Sequence, residues 1–286
     1  EETLGAALKA LLAGKNANVR VAAALARTWA EALVAQQRTR AALARYEAAL
    51  AGYRQAGMNT QAVEVQRDLA GALLRLGEVD RAASVLQDAL ASPCGIEPPL
   101  LRGQIYYRLG LVHLVRAARA HKAGQTAERD AAWDAAEVHL RAALPDLLSG
   151  RAAGDLAQVY HELGRLLAQR GEVDEAAAHV ERSRALYERA DKTLELAGVL
   201  LTLGKLLGSL RVASGEPDAA LDAVYRALAL AREAKAEPVI SAAADLIVRT
   251  HQIDARDVLS GDPSRREAVE LPLVNKEIFE RIGVVP

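Results

Sequence analysis

The segment GEVDRAASVLQDAL at residues 77–90 returns at residues 171–184 as GEVDEAAAHVERSR. In both copies, a Gly-Glu-Val-Asp step precedes a run of apolar residues at helical spacing. Gly is a favoured residue just after the end of a helix, and Asp is a favoured N-cap. The segment therefore predicts a tight turn between two helices, with Asp80 and Asp174 as the N-caps. Its repetition predicts a chain that is built from repeated helical hairpins.

Composition points to a helical protein with a packed core. The chain has 286 residues, of which 51% are hydrophobic and only 3% aromatic. Ala and Leu dominate the apolar residues, and strong helix formers occur throughout, so we expect an all-α protein of closely packed helices. The net charge of −1 provides no overall field that would attract nucleic acid or an anionic membrane.

Location is predicted from cysteine usage and hydropathy. The single cysteine, Cys94, lies in a turn sequence and has no partner for an internal disulfide, which favours a reducing compartment. No apolar run approaches the roughly 20 residues that span a bilayer, and no signal peptide precedes the first helix. The expected location is cytoplasmic, with no membrane contact.

Two landmarks recur along the chain: a large apolar residue followed by a small one in a first helix, and a small residue thirteen positions later in a second helix. The pairs of the first landmark are Trp29-Ala30, Leu69-Ala70, Leu109-Gly110, Leu163-Gly164 and Leu203-Gly204. The small residues of the second are Ala42, Ala82, Ala136, Ala176 and Ala220, which lie 40, 54, 40 and 44 positions apart. A large apolar residue follows each of these four positions later: Tyr46, Leu86, Leu140, Val180 and Val224. The pattern predicts five repeats of 40 residues with two insertions, in which small residues allow close helix approach.

The insertions predict longer helices in two repeats. Fourteen extra residues between Leu114 and Trp133 divide into two sevens, so both helices of the third hairpin should be longer by about two turns. Its basic tip, formed by Arg116, Arg119, His121 and Lys122, is expected to be solvated. Four extra residues near 211–214 add about one turn to the fifth repeat.

The landmarks resemble those of the tetratricopeptide repeat family. The best matches are YYRLG at 106–110, YHELG at 160–164 and LLTLG at 200–204, each followed by its Ala, and the resemblance covers residues 20–236. The unit is longer than the usual 34 residues, and the terminal Pro is missing. The long form is similar to repeats in the regulatory parts of multidomain bacterial signalling proteins. This resemblance implies a right-handed α-solenoid of helical hairpins.

Four regions are expected along the chain. Residues 1–15 match a partial helix of a preceding repeat, which motivates the hypothesis that the chain is a fragment of a longer protein. Residues 16–237 hold five tetratricopeptide-like repeats, and residues 238–251 form a capping helix. Residues 252–286 contain two internal prolines and an amphipathic piece at 274–282, and form a C-terminal tail or cap.

The chain shows no combination of residues that is typical of catalysis. Glu175 and His179 are one helical turn apart, but they lack further metal ligands and are interpreted as an exposed pair. His161-Glu162 resembles part of a zinc-protease motif, yet no second His follows at the required offset. No Gly-rich phosphate loop, Cys pair or nucleophile elbow occurs. We expect a protein that is not an enzyme and has no cofactor or metal.

The resemblance also implies a binding site, because the first helices of this family line the concave groove. The residues that it selects are Arg27, Glu31, Arg67, Gln104, Tyr107, Arg108, Gln158, His161, Arg165 and Lys205. Arg67, Arg108 and Arg165 could grip carboxylate or phosphate groups, or could pair internally with Glu31, Asp68 and Glu162. Glu31 replaces the first Asn of the family's chaperone-binding clamp, so a chaperone-tail receptor is disfavoured.

Three functions are compatible with these expectations. The first is a regulatory or scaffold module of a bacterial signalling or transcription regulator, which binds a protein or an acidic peptide in its groove and does not bind nucleic acid directly. The second is a small-ligand sensor. The third is a structural scaffold that associates with further copies of itself as a homo-oligomer.

Overall fold

The computed structural model describes residues 19–92, 98–214, 218–247 and 249, and their side chains except those of 207–220. All regular structure in these residues is helical. The helices are α1 (Val19–Ala35), α2 (Thr39–Gln55), α3 (Asn59–Arg75), α4 (Val79–Leu90), α5 (Pro99–Lys122), α6 (Thr126–Ser149), α7 (Ala153–Arg170), α8 (Val173–Arg189), α9 (Thr193–Ser214), α10 (Asp218–Glu233) and α11 (237–247). The predicted all-α solenoid of helical hairpins is confirmed.

The chain divides into two compact units, Glu1–Asp155 (unit 1) and Leu156–Pro286 (unit 2). Unit 1 contains the hairpins α1–α2, α3–α4 and α5–α6, and unit 2 contains most of α7, followed by α8, the hairpin α9–α10 and α11. Each unit has a hydrophobic cluster of its own, which includes Leu33, Leu73 and Ile105 in unit 1 and Leu167, Leu200 and Ile247 in unit 2. Each unit therefore buries apolar surface within itself.

The sequence landmarks form the contacts inside the hairpins. Leu69, Leu109, Leu163 and Leu203 are buried, and Trp29 is half-buried. The small second-helix residues Ala42, Ala82, Ala136 and Ala176 have no exposed surface. A Cβ atom added to Gly110 would lie 2.7 Å from the Leu140 side chain, and one added to Gly164 would lie 2.5 Å from Val180 Cγ2. The small residues are thus required by close helix approach, as the pattern predicts.

The repeated GEVD segment forms the turn, although its Asp is not the N-cap. Gly77 and Gly171 adopt φ angles of 76° and 84°, in the left-handed region that favours glycine. Gly77 N donates to Leu74 O at 3.0 Å and Glu78 N donates to Leu73 O at 2.9 Å, which is the Schellman pattern. Because this turn is short, α4 already begins at Val79.

The predicted N-caps Asp80 and Asp174 are therefore wrong. The N-cap residues are Glu78 and Glu172, neither of which forms a side-chain capping hydrogen bond, and both Asp residues lie in the first helical turn. At that position a carboxylate still interacts favourably with the positive end of the helix dipole. Asp80 and Asp174 thus stabilise the first turn of the helix through their charge and not through a capping hydrogen bond.

The third hairpin has the predicted length. Helices α5 and α6 have 24 residues each, compared with 17 in α1, α2 and α3, so each gains seven. Helix α9 is also extended, to 22 residues. His121 and Lys122 at the hairpin tip are exposed, as predicted. Arg116 instead pairs with Asp80 at 2.8 Å, and Arg119 Nη2 donates to Gly77 O at 2.6 Å, so the extension of α5 contacts the preceding turn.

Several predictions concern residues outside this description: the partial helix at 1–15, Cys94, and the tail or cap at 252–286. Among the helices that are described, none combines the length and the apolar character needed to cross a bilayer.

Candidate functional site

The first helices of unit 1 carry a continuous set of polar side chains, here called the unit 1 face. Hydrogen bonds link Arg27 on α1 to Asp68 on α3, Arg67 on α3 to Gln104 on α5, and Gln104 to Asp155, the last residue of the unit. The face consists of Arg27, Glu31, Glu64, Arg67, Asp68, Gln104, Tyr107, Arg108 and Asp155. All six residues that the sequence predicts within unit 1 belong to it.

Arg27 joins α1 to α3 by ion pairs. Its Nε lies 3.0 Å from Glu31 Oε1, its Nη2 lies 3.0 Å from Asp68 Oδ2, and its Nη1 donates to Glu64. Burial opposes the charged form, but the hydrogen bond to Glu64 and the surrounding carboxylates raise the pKa of Arg27 above its ordinary value. The charge of Arg27 is therefore neutralised within the protein.

Arg67 is also paired internally, and it joins α3 to α5. Its Nε and Nη2 donate to Asp68 Oδ1 at 2.9 and 2.7 Å, and its Nη1 donates to Gln104 Oε1 at 2.5 Å. The amide of Gln104 donates in turn to Asp155 Oδ2 at 2.7 Å. Both Arg67 and Gln104 thus have a structural role in holding the first helices together.

Arg108 differs from these arginines. Its guanidinium has neither an ion pair nor a hydrogen bond to any residue in the described part of unit 1. Burial lowers the pKa of Arg108, and the neighbouring charge of Arg67 adds to this effect, while Asp68 and Asp155 oppose it. Arg108 is therefore a partly desolvated cation near two carboxylates that already serve Arg67 and Gln104.

Gly71 provides the space for Arg108. A Cβ atom added at Gly71 would lie 2.7 Å from Arg108 Nη1 and 3.1 Å from its Cζ. The guanidinium accordingly lies directly against α3, in a position that any larger residue at 71 would displace. The sequence contains no signal for this contact, because Gly71 is not a landmark of the repeat.

The first helices of unit 2 carry a second polar set, here called the unit 2 face: Gln158, His161, Glu162, Arg165, Thr202 and Lys205. Gln158, Arg165 and Lys205 are exposed, whereas His161 is half-buried. Both carboxylate oxygens of Glu162 lie 3.2 Å from Arg165 Nη1. Burial raises the pKa of Glu162, and the charge of Arg165 opposes that rise.

His161 is held across two helices of unit 2. Its Nε2 lies 2.9 Å from Thr202 Oγ1 on α9, and that hydroxyl donates to Gly198 O at 3.1 Å. Burial lowers the pKa of His161 to about 4, and the nearby Arg165 adds to the effect. The imidazole is therefore neutral at physiological pH.

The three arginines that the sequence selects as possible carboxylate or phosphate ligands differ in their ion pairs. Arg67 pairs with Asp68 and Arg165 pairs with Glu162, while Arg108 pairs with no described residue. Sequence reasoning missed Glu64, Gly71, Asp155 and Thr202. Glu64 could have been found, because it lies one helical turn before Asp68 and so shares its face.

Glu175 and His179 do not form the exposed pair that the sequence predicts. His179 is buried and stacks on Tyr160, with ring centroids 5.7 Å apart and an interplanar angle of 26°. Its Nε2 lies 3.5 Å from Glu175 Oε1. Packing of the ring against an aromatic neighbour, which the i,i+4 spacing does not reveal, explains the difference. Across the described residues, no group of three or more His, Cys, Asp or Glu side chains could hold a metal ion.

Comparison with known proteins supports the fold. Neither a family model nor a curated protein matches the sequence. Among solved structures, a thermophilic TPR protein of Thermus thermophilus aligns with a TM-score of 0.58 over 79% of this chain and 99% of its own, at 21% identity. The chain has a tetratricopeptide-repeat fold.

Other solved structures share this tetratricopeptide-repeat fold at low identity. BtubC from P. vanneervenii aligns with a TM-score of 0.60 at 17% identity, over 86% of this chain and 89% of that one. Aspartyl phosphate phosphatase F from Bacillus subtilis aligns with a TM-score of 0.59 at 15% identity, over 88% of this chain and 64% of that one. At such identities the likeness concerns the arrangement of the helices alone.

Proposed function

We propose that this chain is a non-enzymatic, protein- or peptide-binding module that holds an acidic segment of its partner on the unit 1 face. It would serve as the regulatory or scaffold part of a cytoplasmic bacterial signalling protein or transcription regulator. The observation that carries the proposal is Arg108, a partly desolvated guanidinium with no ion pair among the described residues.

The charges of the unit 1 face favour a single carboxylate as the group that Arg108 binds. Arg27 and Arg67 are already neutralised by carboxylates of the face. A buried cation is stabilised by a charged hydrogen-bonding partner, and a carboxylate can accept two parallel bonds from guanidinium. A doubly charged phosphate fits less well, because Asp68 and Asp155 lie close enough to affect the charge of Arg108.

A structural neighbour supports a binding role for this fold. A Rap protein, solved as a complex with competence and sporulation factor, aligns with a TM-score of 0.52 at 14% identity, over 82% of this chain and 64% of that one. The complex shows that a chain with a similar helical arrangement binds another molecule.

The test is selection of binders from a random peptide library against the intact chain, followed by affinity measurement for the selected peptides. Arg108→Gln removes the charge and should weaken binding about tenfold or more, since hydrogen bonds to charged groups contribute roughly 1.5–3 kcal/mol. Arg54→Gln is the matched control, because Arg54 is exposed on the second helix α2. Circular dichroism checks that both variants fold.

The possible results separate the parts of the proposal. Selected peptides that share an Asp, a Glu or a free C-terminus and lose affinity only with Arg108→Gln support it. Peptides that bind both variants equally well would show that the unit 1 face is not the receptor site. If the library yields no binder, the peptide-binding function itself is wrong.

A further inference from the structure

The contacts of His161 determine which of its nitrogens carries the proton. Thr202 has one hydroxyl hydrogen, and it donates that hydrogen to Gly198 O, one turn earlier in α9. Thr202 Oγ1 can then only accept at its 2.9 Å contact with His161 Nε2. The hydrogen-bond network therefore assigns the Nε2–H form to His161 and leaves Nδ1 with a lone pair.

The Nδ1 atom of His161 is available to a ligand. It makes no hydrogen bond to any residue that the structure describes, and it is not a buried atom. A neutral imidazole nitrogen without a proton is a hydrogen-bond acceptor. The unit 2 face thus presents one fixed acceptor, whose orientation is set by a contact with a second helix.

The surroundings of His161 select an uncharged donor. Arg165 lies one helical turn further along α7, close enough to lower the pKa of the imidazole. Its positive charge disfavours a lysine or arginine side chain at Nδ1, while the carboxylate of Glu162 is already used by Arg165. An amide N–H meets these conditions, and an extended peptide offers one from every second residue on each side of its backbone.

We propose that His161 Nδ1 accepts a hydrogen bond from a main-chain N–H of an extended partner segment lying on the unit 2 face, an inference that rests on the peptide binding proposed above. Thr202 is the positioning residue, since it holds the imidazole in the accepting form. The contact recognises the backbone and is independent of the partner's side chains.

The first test needs no ligand and measures the protonation of His161 directly. Nitrogen-15 NMR of the intact, histidine-labelled chain should place Nε2 of His161 in the range of protonated ring nitrogens and Nδ1 in the range of unprotonated ones. Thr202→Val removes the acceptor for Nε2–H and should shift the population toward the other tautomer. A ring of the wild type protonated at Nδ1 overturns the inference, whatever binds.

The second test uses a peptide selected on the intact chain and a series of its analogues, each methylated at one main-chain nitrogen. On the wild-type chain, one methylated analogue should bind about tenfold more weakly than the parent peptide. On His161→Phe, the same analogue and the parent peptide should bind with equal affinity. Thr202→Val provides a second variant if His161→Phe does not fold. In parallel analogues, replacement of each Asn or Gln by Ala tests for a side-chain amide donor.

Each result has a distinct meaning. If methylation at every position affects the wild type and His161→Phe alike, or if only an Asn or Gln replacement shows the coupling, the main-chain contact is wrong while peptide binding stands. If the library yields no peptide, the proposed function fails, and the inference about the partner fails with it.

Discussion

Two glycines in the first helices of unit 2 differ in what surrounds them. A Cβ atom at Gly164 would lie 2.5 Å from Val180 Cγ2 and 3.0 Å from the backbone oxygen of Ala176, whereas a Cβ atom at Gly198 would meet nothing within 4 Å. The same substitution should therefore act in opposite directions at the two sites. The sequence motif Leu-Gly marks Gly164 and ignores Gly198, in agreement with this contrast.

Replacement of each glycine by alanine tests this difference. Gly164→Ala should lower the free energy of unfolding by about 1–2 kcal/mol, because overpacking exceeds the helix-propensity gain. Gly198→Ala should raise it by about 0.5–1 kcal/mol, because alanine is the better helix former. Urea unfolding of both variants gives the two values. Equal changes in the free energy of unfolding would show that α7 and α8 move apart to accommodate the added methyl group without loss of stability.

The stability of the chain should depend on the protonation of His161. Burial lowers its pKa in the folded state to about 4, below the ordinary value of 6.5. Between these two values the unfolded state binds the proton and the folded state does not, so stability is lost as the pH falls from about 6.5 toward 4.

Burial and the charges of His139 and Arg116 also lower the pKa of His113 to about 4, so His113 contributes to the pH dependence of stability as well. The contribution of His161 is therefore the difference between the wild type and His161→Gln. Between pH 7 and pH 5, wild-type stability should fall by about 1–2 kcal/mol more than that of His161→Gln, at 1.36 kcal/mol per pH unit. The free energy of unfolding of both proteins is measured at each pH. If the stability of both proteins falls in parallel with pH, the pKa of His161 is the same in the folded and unfolded states.

At the residue scale, the sequence identified the candidate site only partly. The repeat pattern selected Arg67 and Arg108 equally, since both occupy polar positions of first helices. They differ because the Arg67 guanidinium reaches the carboxylate of Asp68, whereas the Arg108 guanidinium has no ion pair among the described residues. No sequence pattern distinguishes Gly71 from other small residues. Its contact with Arg108 is therefore seen only in the structure, where α3 packs against α5.

At the scale of the helix, much more was predictable. The length of α5 and α6 followed from counting, because an insertion of seven residues in each helix returns nearly to the same face. The turns were less predictable. Gln37, Arg151, Asp191 and Lys235 adopt positive φ angles, as Gly57, Gly77, Gly124 and Gly171 do. The paired hydrogen bonds of the Schellman motif form at those four turns without a glycine.

The long hairpin α5–α6 can be shortened to test this reasoning. Deletion of residues 116–122 together with 126–132 leaves two helices of 17 residues. The turn then leaves each shortened helix in nearly the same direction about the helix axis as it does now. We expect a folded, helical chain with a slightly lower melting temperature, since the contacts of Arg116 and Arg119 with the preceding turn are lost.

The matched control for this hairpin deletes five residues from each helix, 118–122 and 126–130. The turn then connects the helices about 140° away from its present direction, at 100° per residue. This variant should melt at a clearly lower temperature than the seven-residue deletion, as followed by circular dichroism. If the shorter deletion is tolerated better, helical register does not determine the length of the hairpin.

At the scale of the whole molecule, the two GEVD turns share their sequence and the left-handed conformation of their glycine. Both follow a first helix and precede a second helix that starts with Val. By sequence position, the buried Val79, Ala82 and Leu86 of α4 correspond to the partly buried Val173 and the buried Ala176 and Val180 of α8. Deletion of residues 77–170 would join α3 to α8 through an unchanged turn. In a chain of repeats, stability is carried by contacts between neighbouring elements, so this deletion should leave a folded protein.

The prediction is a shortened chain that remains helical and unfolds cooperatively in urea. The control is deletion of residues 77–165, which lengthens α3 by five residues before the turn and so changes the direction in which α8 leaves. This control should lose cooperative unfolding. A non-cooperative transition in the first variant would show that α8 cannot replace α4 against α3.

The two matching turns also bear on how such a chain can change over generations. Unequal crossing-over between the two GEVD-coding segments would remove or duplicate the residues between them in one event. The products would keep an intact GEVD turn at the junction, while Arg108 and its neighbours would be lost from one product and present twice in the other. The recurrence of a single turn thus allows the number of helical hairpins to change without the invention of a new fold.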